Sequence, residues 1–175
     1  TCYPFLPDLP DPAGKQPSPG IKARALEAWL AQRDLDDGCH QMATALVEAR
    51  IFGADEVWLK ARGGTEANRP RASRAAVALV APAMQVQVTR AFDNPALYLN
   101  AGATVGTRAN SEITAMALAR VAANDPEVAA ASLRERWQHR LPKDLLAWTW
   151  GQVARHAALK LAPEAIAHYA SAWSE

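Results

Sequence analysis

An all-α protein, built as an irregular α-superhelix (solenoid) of antiparallel helix pairs, is the fold class this sequence predicts, on three observations. The first is a repeated helix start: Asn124-Asp125-Pro126-Glu127, Leu141-Pro142-Lys143-Asp144 and Ala162-Pro163-Glu164 each put a proline where the first helical residue belongs, with an acid in the first turn. Proline loses no hydrogen bond there, because the first four amides of a helix are unpaired within it, and the acid faces the positive end of the dipole. Their spacing leaves room for helices of about three to five turns with short connections. The second is composition: half the residues are hydrophobic, much of that half is alanine, and aromatics make up only 7%. Alanine has the highest helix propensity and lets helices approach closely. The third is the stretch Pro142 to Lys160, apolar on two sides, with Leu146, Trp150, Val153 and Ala157 on one and Leu145, Trp148 and Leu159 on the other. Such a helix is sandwiched between neighbours. The expectation is about nine or ten helices in right-handed antiparallel pairs, forming an arc without any sheet.

In chain order, residues 1–18 hold Pro4, Pro7, Pro10, Pro12 and Pro17 with little periodicity and read as an irregular Pro-rich lead-in. Residues 19–175 read as the α-superhelical domain segment. From Pro19 to Arg33, Ala25, Leu26, Trp29 and Leu30 recur at three- and four-residue steps, and Asp36-Asp37-Gly38 breaks that helix. A second helix has Met42, Leu46, Val47 and Ala49 to Phe52 as its apolar side and ends at Gly53. Asp55 to Arg62 is a short helix, followed by a turn at Gly63-Gly64 and the basic positions Arg69, Arg71 and Arg74. Ala72 to Val80 is alanine-rich and helical. Met84 to Thr89 alternates with period two, a strand signal. With no partner strand in the chain, Pro82 to Phe92 is read as helix instead. Asp93-Asn94-Pro95 caps a short helix, Ala96 to Asn100, and Ala101 to Arg108 is a loop. In Ser111 to Ala123 the buried stripe is Ile113, Met116, Ala117 and Val121; in Pro126 to His139 it is Ala129, Leu133 and Trp137. The last helix carries Ile166, Tyr169, Ala170 and Trp173 as its apolar set. No fixed repeat period or tetratricopeptide consensus can be traced.

Lys+Arg 19 against Asp+Glu 18 leaves a net charge of +1, so no electrostatic footprint argues for nucleic acid or an anionic membrane. No apolar run is long enough for a membrane span. The chain starts at Thr1 without an initiator methionine or signal peptide and ends just after an apolar helix, and it reads as a segment of a longer protein. Cys2 and Cys39 match no zinc or redox motif, both of which need close pairs. Two readings stand: independent buried thiols, or a disulfide that closes the N-terminal segment and implies an oxidising compartment such as the bacterial periplasm.

Catalytic, cofactor and metal motifs do not emerge. His40, His139, His156 and His168 lie on separate helices or helix ends with no i,i+4 partner histidine, and read as surface or helix-end residues. Arg155-His156 and His168 are placed near helix C-termini, where a cation is favourable. Gly102-Ala103-Thr104-Val105-Gly106 lacks the Gly-Lys-Ser/Thr ending of a phosphate loop. The serines have no nucleophile-elbow context. Most glutamates sit at spacings of solvated helix faces. Lys60 to Arg74, with Glu66 its only acid, reads as a solvated basic loop or a contact for an acidic ligand or neighbouring domain.

Asn94-Pro95 with Tyr98, then Gly102-Ala103-Thr104, then the alanine-rich helix through Met116, Ala117 and Val121, resembles the soluble lytic murein transglycosylases of Gram-negative bacteria. Helix order and intervening lengths continue the resemblance from Ala122 to Trp148, and it covers most of the chain from about Cys39 onward. Cys2 and Cys39 also look like a cysteine pair found in the N-terminal part of some members. In that family a non-catalytic α-superhelix bends into a U or ring, and a separate lysozyme-like domain cleaves the glycan between N-acetylmuramic acid and N-acetylglucosamine, leaving a 1,6-anhydro end. Its catalytic glutamate is followed by serine. No Glu-Ser dipeptide occurs here, so no catalytic residue carries over, and the catalytic domain is not present in this segment. The resemblance implies a non-catalytic scaffold of a periplasmic enzyme, with peptidoglycan (through the parent enzyme) and a C-terminal catalytic domain of the same protein as partners. From the residues themselves, no cofactor and no metal is expected. The alternative is a free-standing tetratricopeptide-like helical-repeat interaction module. A Cys2–Cys39 bond would pin the lead-in across the first helix, Pro19 to Arg33.

Overall fold

The computed structural model describes residues 1–10, 14 and 17–174. Among these residues every regular element is helical: ten α-helices, 3-10 segments at Tyr3–Asp8 and Pro82–Met84, and a π-helical turn at Leu133–Trp137. The helices pack as neighbouring pairs within two compact units, Thr1–Gln85 and Val86–Glu175.

The first unit opens with a regular turn where an irregular segment was expected. Tyr3–Asp8 is 3-10 helix, with Pro4 at its first turn and Pro7 inside it. Pro12, part of the expected lead-in, lies outside the described residues. Helix α1 (Ile21–Ala31) buries Ile21, Ala25 and Trp29. The expected break at Asp36-Asp37-Gly38 is instead the start of α2 (Asp37–Glu48). The Asp36 carboxylate accepts the Cys39 amide at 2.9 Å, which makes it a capping residue. Helix α2 also stops earlier than its apolar pattern suggests. Arg50 takes a left-handed conformation, and the amides of Ile51 and Phe52 both turn back to the Leu46 carbonyl. Phe52 leaves the helix yet stays buried, stacked on Trp29 with centroids 5.5 Å apart.

Gly63-Gly64 is not a turn. Helix α3 (Ala54–Glu66) runs through both glycines, and the chain reverses at left-handed Asn68 before α4 (Pro70–Val80). The reason is close approach: a Cβ on Gly64 would lie 2.5 Å from Ser73 Oγ and 3.0 Å from its amide nitrogen, whereas one on Gly63 meets nothing within 4 Å. Ser73 Oγ in turn donates to the Ala61 carbonyl at 2.8 Å. We expect Gly64→Ala to destabilise the chain by about 1–3 kcal/mol through overpacking, and Gly63→Ala to stabilise it by about 0.4–1 kcal/mol. Paired urea titrations check this, and equal effects would refute the close-packing account. The basic stretch is consequently not a solvated loop: most of Lys60 to Arg74 is helical and Lys60 is buried.

In the second unit, α5 (Gln85–Asp93) carries the alternating segment as helix, as expected. Asn94 caps α6 (Pro95–Ala101) by accepting the Leu97 amide at 3.1 Å. Helix α7 (Arg108–Asn124) is buried continuously from Ser111 to Ala119, not along one stripe, because α6, α8 (Pro126–Ser132) and α9 (Lys143–Leu159) all pack on it. Its buried hydroxyls are satisfied locally. Thr114 Oγ1 donates to the Thr104 carbonyl at 2.9 Å and Ser111 Oγ to the Val105 carbonyl at 3.2 Å, which ties down the loop before it.

The stripe Ala129, Leu133 and Trp137 is fully buried as expected, although the helix passes into the π turn on the way. Of the three proline starts, only Pro126 occupies the first helical position. Pro142 is extended just ahead of α9, and Pro163 precedes α10 (Ala165–Ser174). Left-handed Leu161 and the bond from the Ala162 amide to the Ala157 carbonyl close α9 and push the next start past Pro163. The first α9 stripe is buried throughout, but Leu159 of the second is 70% exposed, and Thr149 and Gln152 join Leu145 on the second buried side.

Candidate functional site

Five local arrangements bring chemistry-bearing residues together, the first two in the first unit. Cys2 and Cys39 form a disulfide, S–S 2.00 Å and Cα–Cα 4.6 Å, with both residues buried. It clamps the opening 3-10 turn onto α2, where the Tyr3 ring lies against Gly38. The opening turn thus packs on α2, whereas the sequence placed the lead-in across α1.

Nearby, Lys60 of α3 sends its ammonium to the end of α1, donating to the Trp29 carbonyl at 2.6 Å and to that of Gln32. Those carbonyls have no partner inside the helix, so a cation there caps it. Burial nevertheless pushes the Lys60 pKa down to about 8, with Asp34 and Asp36 opposing the shift. Between about pH 8 and the ordinary lysine value of 10.5, the unfolded chain holds a proton that the folded chain has lost. Stability therefore rises with pH across that window. Urea midpoints at pH 8 and pH 10 should show this rise in the parent chain and a smaller one in Lys60→Met. Identical pH profiles would refute the assignment.

In the second unit His168 departs from its expected place at the surface near a helix C-terminus. It lies in the first turn of α10, only 1% exposed, with Nε2 2.7 Å from Glu127 Oε1. Its ring stacks on Trp150 at 5.7 Å, and Arg134 covers the same indole at 5.4 Å. This pairing orients α10: His168 and Ala165 face inward, while the expected apolar set faces out, with Ile166 82% and Trp173 88% exposed. His156 is half-buried, and burial, with Arg155 and Lys160 adding to it, holds its pKa below the ordinary value. His139 is exposed. Among the described residues no group of three or more His, Cys, Asp or Glu could hold a metal ion.

Glu112 on α7, with no solvent exposure, accepts from Arg108 Nε and Nη2 at 2.9 and 2.7 Å. The same guanidinium reaches Asp144 of α9 at 2.6 and 3.1 Å. Sequence reasoning places Arg108 in a loop and so misses its i,i+4 spacing to Glu112, which appears once α7 starts at Arg108; nothing local signals that the pair is shared with a residue 36 positions away.

Finally, a cleft of about 480 Å³ opens between α5 and α6, lined by Gln87, Thr89, Arg90, Asp93 and Asn94 on one side and by Leu97, Tyr98, Ala101 and Gly102 on the other. Fold and sites together define a class: an all-helical protein of paired helices whose N-terminal segment is closed by a disulfide. Among the described residues no helix is long and apolar enough to cross a membrane. In comparisons with known proteins, no family model, no curated protein and no solved structure matches this chain.

Proposed function

We propose that the chain is the non-catalytic α-superhelical scaffold segment of a periplasmic soluble lytic murein transglycosylase. Its partners would be the C-terminal catalytic domain of the same protein and, through that enzyme, peptidoglycan. The observation that carries this reading is the Cys2–Cys39 disulfide. Composition and spacing left that pair open, whereas the resemblance implied it, and a disulfide persists in oxidising compartments such as the periplasm. The succession of packed neighbouring helices agrees with a solenoid, in which each pair contacts mainly its neighbours.

A second reading, a tetratricopeptide-like helical-repeat interaction module, is favoured by one feature. The outward face of α10 exposes Ile166, Tyr169 and Trp173, an apolar surface of the kind that marks a protein–protein contact. One experiment separates the two. Purified sacculi are incubated with residues 1–175 and with the full polypeptide that contains them. The scaffold reading expects 1,6-anhydro-muropeptides from the full polypeptide and none from the segment. No release by the full polypeptide would favour the interaction module, and release by the segment alone would overturn both.

A further inference from the structure

Exposed apolar side chains gather at the last helix. Among the described residues eleven large hydrophobic side chains are exposed, and five of them, Leu159, Leu161, Ile166, Tyr169 and Trp173, stand on α10 or just ahead of it, while the other six are spread from Tyr3 to Val128. A concentration of this kind marks a contact surface. The bond from His168 to Glu127 and its stacking on Trp150 hold that face outward.

The face presents almost nothing that needs a charged or polar partner. Helix α10 carries no Asp, Glu, Lys or Arg, and its serine hydroxyls are satisfied within the helix: Ser171 Oγ donates to the Ala167 carbonyl at 3.2 Å and Ser174 Oγ to the Ser171 carbonyl at 2.9 Å. A helix that lies on a membrane surface is rich in Lys and Arg beside its apolar face, and α10 has neither. Two features point instead to a second copy of this chain. An isologous contact sets a face against itself, so any charge would meet its like; here no charge opposes the pairing. The pattern is also self-complementary. Ile166, Tyr169, Ala170 and Trp173 follow the i, i+3, i+4, i+7 stripe of one helix face, and all four are exposed. With two such helices antiparallel about an axis between positions 169 and 170, Ile166 of one copy meets Trp173 of the other, and the large Tyr169 ring meets the small Ala170. We propose that this face of α10 is the interface of a two-fold homodimer in which α10 packs antiparallel on its copy. The proposal rests on the α10 surface that favours the interaction-module reading, and it names the occupant of that surface.

The test is sedimentation velocity of residues 1–175 across the micromolar range, where a reversible monomer–dimer equilibrium is expected. Ile166 and Trp173 are exposed, so Ile166→Lys and Trp173→Asp leave the far-ultraviolet circular dichroism unchanged. Each change enters a two-fold contact twice, so either should weaken the dimer by about a hundredfold, tenfold per contact. Leu97→Asp, at an exposed position of α6, should have no effect. An equimolar mixture of the Ile166→Lys and Trp173→Asp chains should dimerise again, because the new ammonium and carboxylate then face each other at one end and the original pair meets at the other. A chain that stays monomeric, assemblies that grow beyond two, a dimer indifferent to both α10 variants, or a mixture that fails to recover would overturn the proposal. So would a monomeric full polypeptide, which would give the face to another part of the same chain, or binding to phosphatidylglycerol vesicles in place of self-association. The sacculus experiment reads product release, so it decides the interaction-module reading separately from any of these outcomes.

Discussion

The double variant Cys2→Ser, Cys39→Ser is expected to unfold about 4 kcal/mol more easily than the parent chain. The bond spans a sequence separation of 37. The chain-entropy relation for a loop of that length gives about 4 kcal/mol, reduced by any strain or residual structure in the unfolded chain. Against a typical domain stability of ~5–15 kcal/mol this is a large share. Removing both cysteines avoids leaving one unpaired thiol at a buried position. The loss should come with selective release of the opening turn, because its covalent tie to α2 is the disulfide and Tyr3 is itself 56% exposed. Urea titration gives the energy, and limited proteolysis reports cleavage within Tyr3–Asp8 before any in α2. The parent protein in excess reductant should behave alike. A loss below about 1 kcal/mol would show that packing alone holds the turn.

Arg108→Ala should cost about 3–5 kcal/mol, because it leaves the Glu112 carboxylate, which has no solvent exposure, without its guanidinium partner. Asp144→Ala should cost at most about 1 kcal/mol: that carboxylate is 59% exposed, and water replaces much of what the pair provides. Adding Glu112→Gln to Arg108→Ala should recover part of the loss, since a neutral amide is cheaper to bury than a carboxylate that has lost its guanidinium. Acid gives an independent readout. The Arg108 hydrogen bond holds the Asp144 carboxyl below its ordinary value of 3.8. Its contribution is therefore complete above that pH and is lost as the pH falls through the lowered value. Arg108→Ala should remove that acid-dependent component, which chemical denaturation at pH 6 and pH 3 would reveal. Equal costs for Arg108→Ala and Asp144→Ala would sink the buried-carboxylate account.

Local chemistry wrote much of this architecture into the sequence. Helical periodicity and capping residues identified most helices near their observed bounds. The missing strand partner rightly made Met84 to Thr89 helical, and Ala129, Leu133 and Trp137 were recognisable as one buried stripe because their spacing follows the helix period. The cysteines could be counted, but their pairing could not be derived, because a bond across 37 positions depends on how α2 meets the lead-in.

Tertiary packing decided the rest. Gly63-Gly64 reads as a turn to any local rule, yet α4 lies so close that only glycine fits at 64, and the helix continues. Lys60 looks solvated until the end of α1 is placed beside it. In α10 the order of preference is reversed. The hydrophobic pattern alone would bury Ile166, Tyr169 and Trp173, but the bond from His168 to Glu127 and its stacking on Trp150 turn the opposite face inward. A sequence pattern reports which face of a helix is apolar. Which face is covered depends on partners distant in the chain, and that is why the segments were legible in the sequence while the cleft, the buried pairs and the exposed face were decided only by the fold.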